Sequence, residues 1–450
     1  MKKFNREKAL RKIEFQRKWQ RYSRYVYIAI PCILCGILGL YLAYSKFFVT
    51  QENDVVQTKV GDFVYGDVII NNYVNGQYAV EAPAQATGYK VDKIVCDNGA
   101  VGEWNARNYG PTLTNVTRRS KCNIYFVDVE IVDVGNVSVP LDAYGLCPTV
   151  NADGTVTVTE AESQYGYLCK AKDAYGDSYY YRGDVTNNYV EFAGFYWRII
   201  RINGDGTVRV IYDGTSAHTN GDDSTDRQIG KSAFNSSYND NAYVGYMYGK
   251  IGASTYAETH VNTNNSTIKT YLDTWYENNI KGTTNEQYIA DNIFCNDLSF
   301  DPDNSGTGVG TSETYYRWYN FADNANNTKM MLSCPQKNDT FTLNDNSKGN
   351  GALTYRVGLV TTDEVVLAGG WNSYNSEYYL YSGQSYWTMS PSRFDARYGY
   401  AYERFVDSYG RADAVGNVDY TGGARPVLNL KFEVLLQGTG TASDPYHLAS

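Results

Sequence analysis

Histidine is scarce in this sequence, which has 450 residues and only three histidines: His218, His260 and His447. They lie far apart along the chain, and none of them is close in sequence to a plausible nucleophile. The chain also lacks a Gly-x-Ser-x-Gly elbow, a P-loop and a His-x-x-Glu-His motif. Paired carboxylates such as Asp301 and Asp303 stand in polar, Asn-rich stretches, where solvation explains them. The sequence therefore predicts neither an enzyme nor a cofactor or metal site.

The chain also lacks an excess of positive charge, since it has 40 Lys or Arg against 49 Asp or Glu. The formal net charge is −9 and the isoelectric point is near 5.1. A protein that binds nucleic acid through its phosphates needs a basic field over the binding surface. We therefore expect no nucleic-acid partner.

The basic residues gather at the N-terminus. Residues 1–24 hold ten Lys or Arg against only Glu7 and Glu14, and charged and apolar positions follow helical spacing. This pattern predicts a basic amphipathic helix on the cytoplasmic face of a membrane, in contact with anionic lipids.

An uncharged apolar run follows, from Tyr25 to Tyr44. About 20 such residues are enough to cross a bilayer as a helix. The alternative is a cleaved signal peptide, but its apolar core and basic lead are usually shorter, and no small-residue cleavage pattern follows here. We therefore predict a transmembrane helix over residues 25–45 with the N-terminus inside, which makes the chain a single-pass plasma-membrane protein with an extracellular C-terminal domain.

The cysteines agree with that topology. Cys32 and Cys35 lie in the apolar run, and the other six follow it. An even number of extracellular cysteines indicates disulfides, although six cysteines allow 15 pairings. A zinc site is the alternative, and the absence of a CxxC pair or clustered histidines among these six disfavours it. Sequence proximity favours the pairs Cys96–Cys122, Cys147–Cys169 and Cys295–Cys334.

Proline is also rare, with 10 residues, whereas tyrosine is abundant, with 44. Short alternating runs separated by Gly and Asn predict many short strands joined by tight turns. We divide the part after the apolar run into a small all-β stalk domain over residues 46–132, a linker over residues 133–146 and a larger head over residues 147–450. A disulfide would staple the stalk, whose core is small.

The head mixes strand and helix patterns. "FYWRIIRI" and "VRVIYDG" alternate as strands, and residues 203–206 between them, "NGDG", predict a hairpin turn. "STIKTYLDTWYENNI" and "TNEQYIADNIF" predict helices, the first of them capped by Ser266. We therefore predict an α+β fold, with helices packed on a mainly antiparallel sheet.

Three stretches of the head together resemble a known family. "FYWRIIRINGDGTVRVIYDG", "YRVGLVTTDEVVLAGGW" and "YWTMSPS" with "GGARPVLNL" are similar to the C-type-lectin-like fold in its formylglycine-generating-enzyme-like form. Val360 departs from the family, which often has proline at that place. The residues that match the family's helix start are Arg356, Gly358, Leu359, Thr361 or Thr362, and Glu364. On physical grounds alone, a threonine here can cap a helix that Gly369 or Gly370 ends.

The resemblance implies a fold and not an activity. Formylglycine generation needs a reactive cysteine near the C-terminal strands, and no cysteine follows Cys334. Calcium-dependent sugar binding in lectins that share this fold uses a proline-containing motif that is absent here, and only "WNS" at Trp371 is similar to its partner motif. Neither function is carried over to this chain.

Between the last two core-like stretches lies a segment dense in Tyr, Arg and Asp. Tyrosine and arginine dominate binding hot spots, because they bury large area while they keep polar groups. The alternative is that the segment continues the tyrosine-rich composition of the whole chain. We predict a ligand-binding patch formed by Arg393, Phe394, Asp395, Arg397, Tyr398, Tyr400, Tyr402, Arg404, Asp407, Tyr409, Arg411 and Asp413.

A C-terminal variable patch on a C-type-lectin-like scaffold also resembles the variable proteins of diversity-generating retroelements. That resemblance implies a surface protein, similar to an adhesin, whose patch binds a protein or surface ligand and is rewritten between copies. The runner-up hypothesis is a structural envelope protein whose copies associate with one another and bind no foreign ligand.

Overall fold

A computed structural model describes residues 11–12, 14–19, 68–117, 119–319 and 329–449. Within residues 1–24, for which the sequence predicts a basic helix, the described residues are helical and exposed. The chain divides into two compact units by its internal contacts. One unit comprises Met1–Glu81 and Asp92–Tyr125, and the other comprises Ala82–Val91 and Phe126–Ser450.

Six short strands form the N-terminal β region. Four of them make a sheet in the order β2-β1-β6-β3, and β4 and β5 form a separate hairpin. The Cys96–Cys122 disulfide joins the end of β3 to β6, and Leu113 and Ile124 are buried. The strands are β1 (Ile69–Val74), β2 (Gln77–Ala79), β3 (Tyr89–Cys96), β4 (Val101–Asn105), β5 (Gly110–Thr114) and β6 (Lys121–Asp128).

The remaining strands are all shorter than eleven residues. They are β7 (Ile131–Val134), β8 (Val137–Pro140), β9 (Thr149–Val150), β10 (Val156–Thr157), β11 (Gly166–Asp173), β12 (Gly176–Gly183), β13 (Tyr189–Phe192), β14 (Phe195–Ile202), β15 (Val208–Gly214), β16 (Gly230–Ala233), β17 (Met247–Tyr248), β18 (Asn264–Asn265), β19 (Phe294–Cys295), β20 (Thr314–Tyr315), β21 (Lys329–Met330), β22 (Thr340–Phe341), β23 (Tyr386–Asp395), β24 (Tyr400–Val406), β25 (Val415–Asn417), β26 (Thr421–Ala424) and β27 (Val427–Leu430).

Two six-stranded sheets organise the C-terminal unit. The first has the order β11-β12-β14-β15-β27, with β13 beside β14, and the second has the order β16-β26-β23-β24-β25, with β20 beside β23. The helices of this unit are α1 (Tyr256–Thr259), α2 (Thr267–Asn279) and α3 (Thr362–Leu367). The predicted hairpin is present as β14 and β15, and Asn203 N donates to Thr207 O across its turn at 2.8 Å.

The predicted α+β class is wrong, because the described chain is mostly β, with 36% strand and 12% helix. The helix pattern around Ser266 is real: its hydroxyl accepts from Lys269 N, and α2 buries Ile268 and Leu272. The second predicted helix is only a 3₁₀ turn, Glu286–Tyr288, and strand β19 follows it. Short apolar runs do not distinguish a helix from a buried strand, and here tertiary pairing selects the strand.

The single-pass plasma-membrane placement is also corrected. In the part of the chain that the structure describes, no helix is both long and apolar enough to cross a bilayer. The predicted transmembrane segment, residues 25–45, lies outside the described residues, as do Cys32 and Cys35.

The predicted linker has regular structure. Strands β7 and β8 form a hairpin within the larger unit, and Asn136 N donates to Leu435 O at 2.7 Å. The other two disulfides, Cys147–Cys169 and Cys295–Cys334, are the pairs that sequence proximity suggests.

Candidate functional site

The candidate site lies on one face of the second sheet. Arg393 on β23 stands opposite Tyr315 on β20 and opposite Tyr402 on β24. Tyr402 in turn stands opposite Asn417 on β25. Residues directly opposite each other in paired strands project to the same face. The register therefore sets these four side chains in a line across four strands.

Further aromatic residues extend this line into a continuous chain of contacts. The rings of Tyr315 and Tyr319 have centroids 4.1 Å apart. At the other end, the Tyr402 and Tyr400 centroids are 6.4 Å apart, and Tyr400 stacks on Tyr238 at 4.4 Å with 12° between the ring planes. We call this set the Tyr/Arg row, and its members in spatial order are Tyr315, Tyr319, Arg393, Tyr402, Tyr400 and Tyr238.

Arg393 links the two halves of the Tyr/Arg row. Its guanidinium carbon is 4.3 Å from the Tyr402 ring centroid and 5.5 Å from that of Tyr319. Both distances fall within the range of cation–π attraction. Its Nε is 3.8 Å from Asp395 Oδ2, which is longer than a hydrogen bond. The two rings therefore restrain the guanidinium more tightly than the carboxylate does.

Buried side chains hold the segment that carries Tyr319 in place. Arg404 on β24 is 3% exposed, and its guanidinium donates to the backbone carbonyls of Trp318 and Tyr319, the latter at 2.7 Å. Trp318 Nε1 donates to Asp363 Oδ2 at 3.1 Å, and Arg317 Nη2 donates to the same oxygen at 2.6 Å. Because these contacts hold the backbone and the side chains of the two preceding residues, the Tyr319 ring has a defined position.

Asp363 is available for this role because it lies in the first turn of α3. Thr361, one of the two threonines for which the sequence predicts a capping role, caps the helix in a capping box with Glu364, and Ala368 is the C-cap, directly before Gly369. Glu364 pairs with Arg209 at 2.6 Å and with Arg201 at 3.1 Å. Burial opposes ionisation of Glu364, yet the two arginines hold its pKa below the ordinary value. The first turn of α3, whose sequence resembles the family's helix start, therefore supports the site through buried ion pairs of Asp363 and Glu364 with arginines.

The acidic side chains beside the row are committed to local structure. Asp395 Oδ1 accepts from Arg397 N at 3.0 Å and from Tyr398 N at 3.2 Å, which shapes the turn between β23 and β24. Glu313 Oε2 accepts from Ala396 N. These carboxylates build the turn and leave the ring faces and Arg393 as the groups available to a ligand.

Two phenols of the row, those of Tyr315 and Tyr400, have raised pKa values, which favours their neutral form. A hydrogen bond with Glu313 raises the pKa of Tyr315, and the neighbouring Tyr238 raises the pKa of Tyr400. A neutral phenol both donates and accepts a hydrogen bond, while its ring offers an apolar face. The row can therefore combine stacking with hydrogen bonding.

Strand alternation separates the row from the core. Phe394, Ala401 and Glu403 alternate with row residues and are fully buried. Burial raises the pKa of Glu403 well above its ordinary value, and a hydrogen bond from the Gly245 backbone opposes only part of this. Burial therefore favours the protonated form of Glu403, which lies directly behind the ligand-facing side of β24.

The other end of β24 carries a second, smaller surface. Arg411 Nη2 pairs with Asp407 Oδ2 at 2.6 Å, and Tyr409 is 58% exposed with its ring 6.3 Å from that of Tyr374. A seven-residue strand is about 20 Å long. This surface and the Tyr/Arg row are thus at opposite ends of the strand.

The structure divides the twelve predicted patch residues into separate groups. Phe394 and Arg404 are corrections, since their side chains are buried at 0% and 3% exposure and support the surface from inside. Asp413 is half-buried, and burial raises its pKa. The row's face holds Arg393, Asp395, Tyr400 and Tyr402; the turn holds Arg397 and Tyr398; and the second surface holds Asp407, Tyr409 and Arg411.

Sequence reasoning missed Tyr238, Tyr315 and Tyr319. They enter the site through strand pairing and stacking with residues that are more than seventy positions away in the chain. The dense aromatic stretch "TYYRWY" over residues 314–319 was the available signal.

The described residues contain no group of three or more His, Cys, Asp or Glu side chains that could hold a metal ion. Comparisons with protein-family models, with curated proteins and with solved structures found no match to this chain.

Proposed function

We propose that this chain is a binding protein that recognises a protein ligand through the Tyr/Arg row. The observation that carries the proposal is the unbroken contact chain from Tyr315 to Tyr238, with Arg393 held between two rings. Tyrosine and arginine are the residue types most enriched in binding hot spots.

The order of the row favours binding energetically. Immobilising a flexible side chain at an interface costs about 0.5–1.5 kcal/mol. The stacked rings and the fixed Trp318–Tyr319 backbone already restrict the row in the free protein. Folding has therefore already restricted most of these side chains, so a ligand loses little further side-chain entropy when it binds.

A site-specific photo-crosslink tests this proposal. The full chain is produced with p-benzoylphenylalanine in place of Tyr398, which is 61% exposed on the turn beside the row. The matched control carries the same group in place of Tyr78, which is 63% exposed in the other unit. Irradiation of the producing cells should give a discrete adduct with a second protein at position 398 and none at position 78.

The outcomes separate the proposed function from its alternative. An adduct of two copies of this chain at position 398 would favour the self-associating structural protein. No adduct at position 398, or equal adducts at both positions, would contradict recognition by the row.

We further propose, from the resemblance to the variable proteins of diversity-generating retroelements, that the row positions on β23 and β24, Arg393, Tyr400 and Tyr402, differ between copies of the gene. Row residues alternate with buried residues along β24, so they can change without altering the core. Deep sequencing of a clonal population tests this. Changes should concentrate between Arg393 and Tyr420 and spare Trp387 and Arg425, whereas uniformly rare changes would contradict it.

A further inference from the structure

We infer that Arg393 is the charged anchor of the Tyr/Arg row and takes an Asp or Glu carboxylate of the ligand protein in a two-pronged hydrogen bond. The inference rests on the proposed function and adds the chemistry of the contact. An acidic side chain of the ligand would bind at the centre of the row. The apolar side chains next to it in the ligand would pack on the tyrosines on either side.

Two aromatic rings orient the guanidinium of Arg393. Tyr402 and Tyr319 flank it at 4.3 and 5.5 Å, so both rings contribute to its orientation. The Arg393 side chain is 22% exposed, which leaves part of it accessible to a ligand. A guanidinium is a planar fork that matches the two oxygens of a carboxylate, and fixing it before binding reduces the entropy lost when the ligand docks.

The second feature is the hydrogen bonding of Arg393. Within residues 68–117, 119–319 and 329–449, neither Nη atom of Arg393 makes a hydrogen bond, and its ion pair with Asp395 is long, with 3.8 Å between Nε and Oδ2. Arg404 on β24 differs because its two Nη atoms donate to backbone carbonyls. Arg393 is therefore the arginine of the row with donors left for a ligand.

The neighbouring charges are the third feature. Asp395 Oδ1 and Glu313 Oε2 accept hydrogen bonds from the backbone of the β23–β24 turn, while Asp395 Oδ2 lies 3.8 Å from Arg393 Nε, which is longer than a hydrogen bond. Arg397, exposed on that turn, adds positive charge at the same end of the strands. Asp419 contributes negative charge near Tyr400. The favourable position for an anion is thus Arg393 and not the Tyr400 end of the row.

A peptide library tests the inference even while the ligand is unidentified. Random peptides displayed on phage are selected against the full chain, and the recovered sequences are compared with those from Arg393→Gln and Arg393→Lys. We expect Asp or Glu at one fixed position with aromatic or aliphatic neighbours for the unaltered chain. The preference should vanish with Arg393→Gln and weaken with Arg393→Lys, which keeps the charge and loses the fork. Arg397→Gln is the matched control and should keep the preference.

A selected peptide then gives the quantitative test. Changing its Asp to Asn, or its Glu to Gln, should weaken binding about tenfold to 100-fold, the range expected for hydrogen bonds to charged groups. The same change should have no effect on binding to the Arg393→Gln chain.

The failures of the two proposals are distinguishable. Peptides that lose binding in Tyr402→Ala but show no acidic preference would overturn the role of Arg393 and leave the proposed function in place. Peptides whose binding is unchanged in both Tyr402→Ala and Arg393→Gln would overturn both.

Discussion

Arg404 donates a hydrogen bond from Nη2 to the backbone carbonyl of Tyr319 at 2.7 Å, across 85 residues of sequence. This contact couples a buried strand position to an aromatic ring of the candidate surface. Residues that are distant in the chain are thereby brought to one face. Arg404 holds the site in place from the interior, whereas Tyr319 faces the ligand.

Replacing Arg404 with Gln should destabilise the protein, since it leaves the Trp318 and Tyr319 carbonyls without their donor. Buried polar groups without partners cost about 1–3 kcal/mol. Urea unfolding measures the free energy of unfolding. The exposed Arg397→Gln control should change it by less than about 0.5 kcal/mol, and equal stability of the two variants would contradict the anchoring role of Arg404.

Replacing Tyr402 with Ala should separate binding from folding. The ring is half-buried and packs against Arg393. Affinity for the ligand crosslinked at position 398 should fall by about 2 kcal/mol, or roughly 30-fold, as at a hot spot. Isothermal titration calorimetry measures this change, with Tyr374→Ala on the second surface as the control. Equal losses for the two variants would show that the row is not the principal contact.

The raised pKa of Glu403 should make the free energy of unfolding decrease as the pH rises. The unfolded chain releases this proton near the ordinary pKa of 4.5, whereas the folded chain retains it well above that value because of burial. Between these values the unfolded state binds fewer protons than the folded state, so the free energy of unfolding decreases with increasing pH. Asp339, whose pKa burial raises to about 7, adds a loss in the same direction up to that pH.

Glu403→Gln isolates the contribution of Glu403. The variant has no proton to lose, so it should be more stable than the unaltered chain at pH 8 and should approach it near pH 4. The slope that remains comes from Asp339 and from the other carboxyl groups whose pKa burial raises, which are Asp142, Asp273, Asp363 and Asp413. Thermal unfolding at a series of pH values measures both slopes, and parallel pH profiles for the two chains would refute the protonated state of Glu403.

The Cys295–Cys334 disulfide should stabilise the larger unit substantially. The two cysteines are 39 residues apart, and the chain-entropy relation gives about 4 kcal/mol for a loop of that length. The double variant Cys295→Ala/Cys334→Ala should therefore unfold at a lower urea concentration. Reduction should shift the unfolding of the unaltered chain at least as far, since it also opens the other two disulfides. An unshifted midpoint for the double variant would contradict this contribution.

Local features of the fold could be predicted from the sequence because their signals are local. The Ser266 cap of α2 and the Thr361 cap of α3 depend on residues within one turn, and the β14–β15 hairpin depends on four turn residues. These predictions are confirmed. The predicted second helix is wrong, because only a 3₁₀ turn forms at Glu286–Tyr288, and the last residue of the predicted helix, Phe294, pairs with β22 as part of β19.

The site could be predicted only in part. We grouped Tyr402 with Tyr409 because they are close in sequence. The extended strand β24 places them far apart, since each residue adds about 3.3 Å to its length. Tyr400 meets Tyr238, and Arg393 meets Tyr315 and Tyr319, through stacking and pairing between distant parts of the chain. Residue type indicated which side chains bind, whereas the register of β20, β23 and β24 determines which of them meet.

Hydrogen–deuterium exchange of the full chain, with and without the ligand recovered by crosslinking, tests recognition by the Tyr/Arg row. We expect slower exchange on binding in peptides that cover residues 312–319 and 393–402, with residues 407–411 and 374–377 unchanged. Protection confined to residues 374–377 and 407–411, or no change in residues 393–402, would contradict recognition by the Tyr/Arg row.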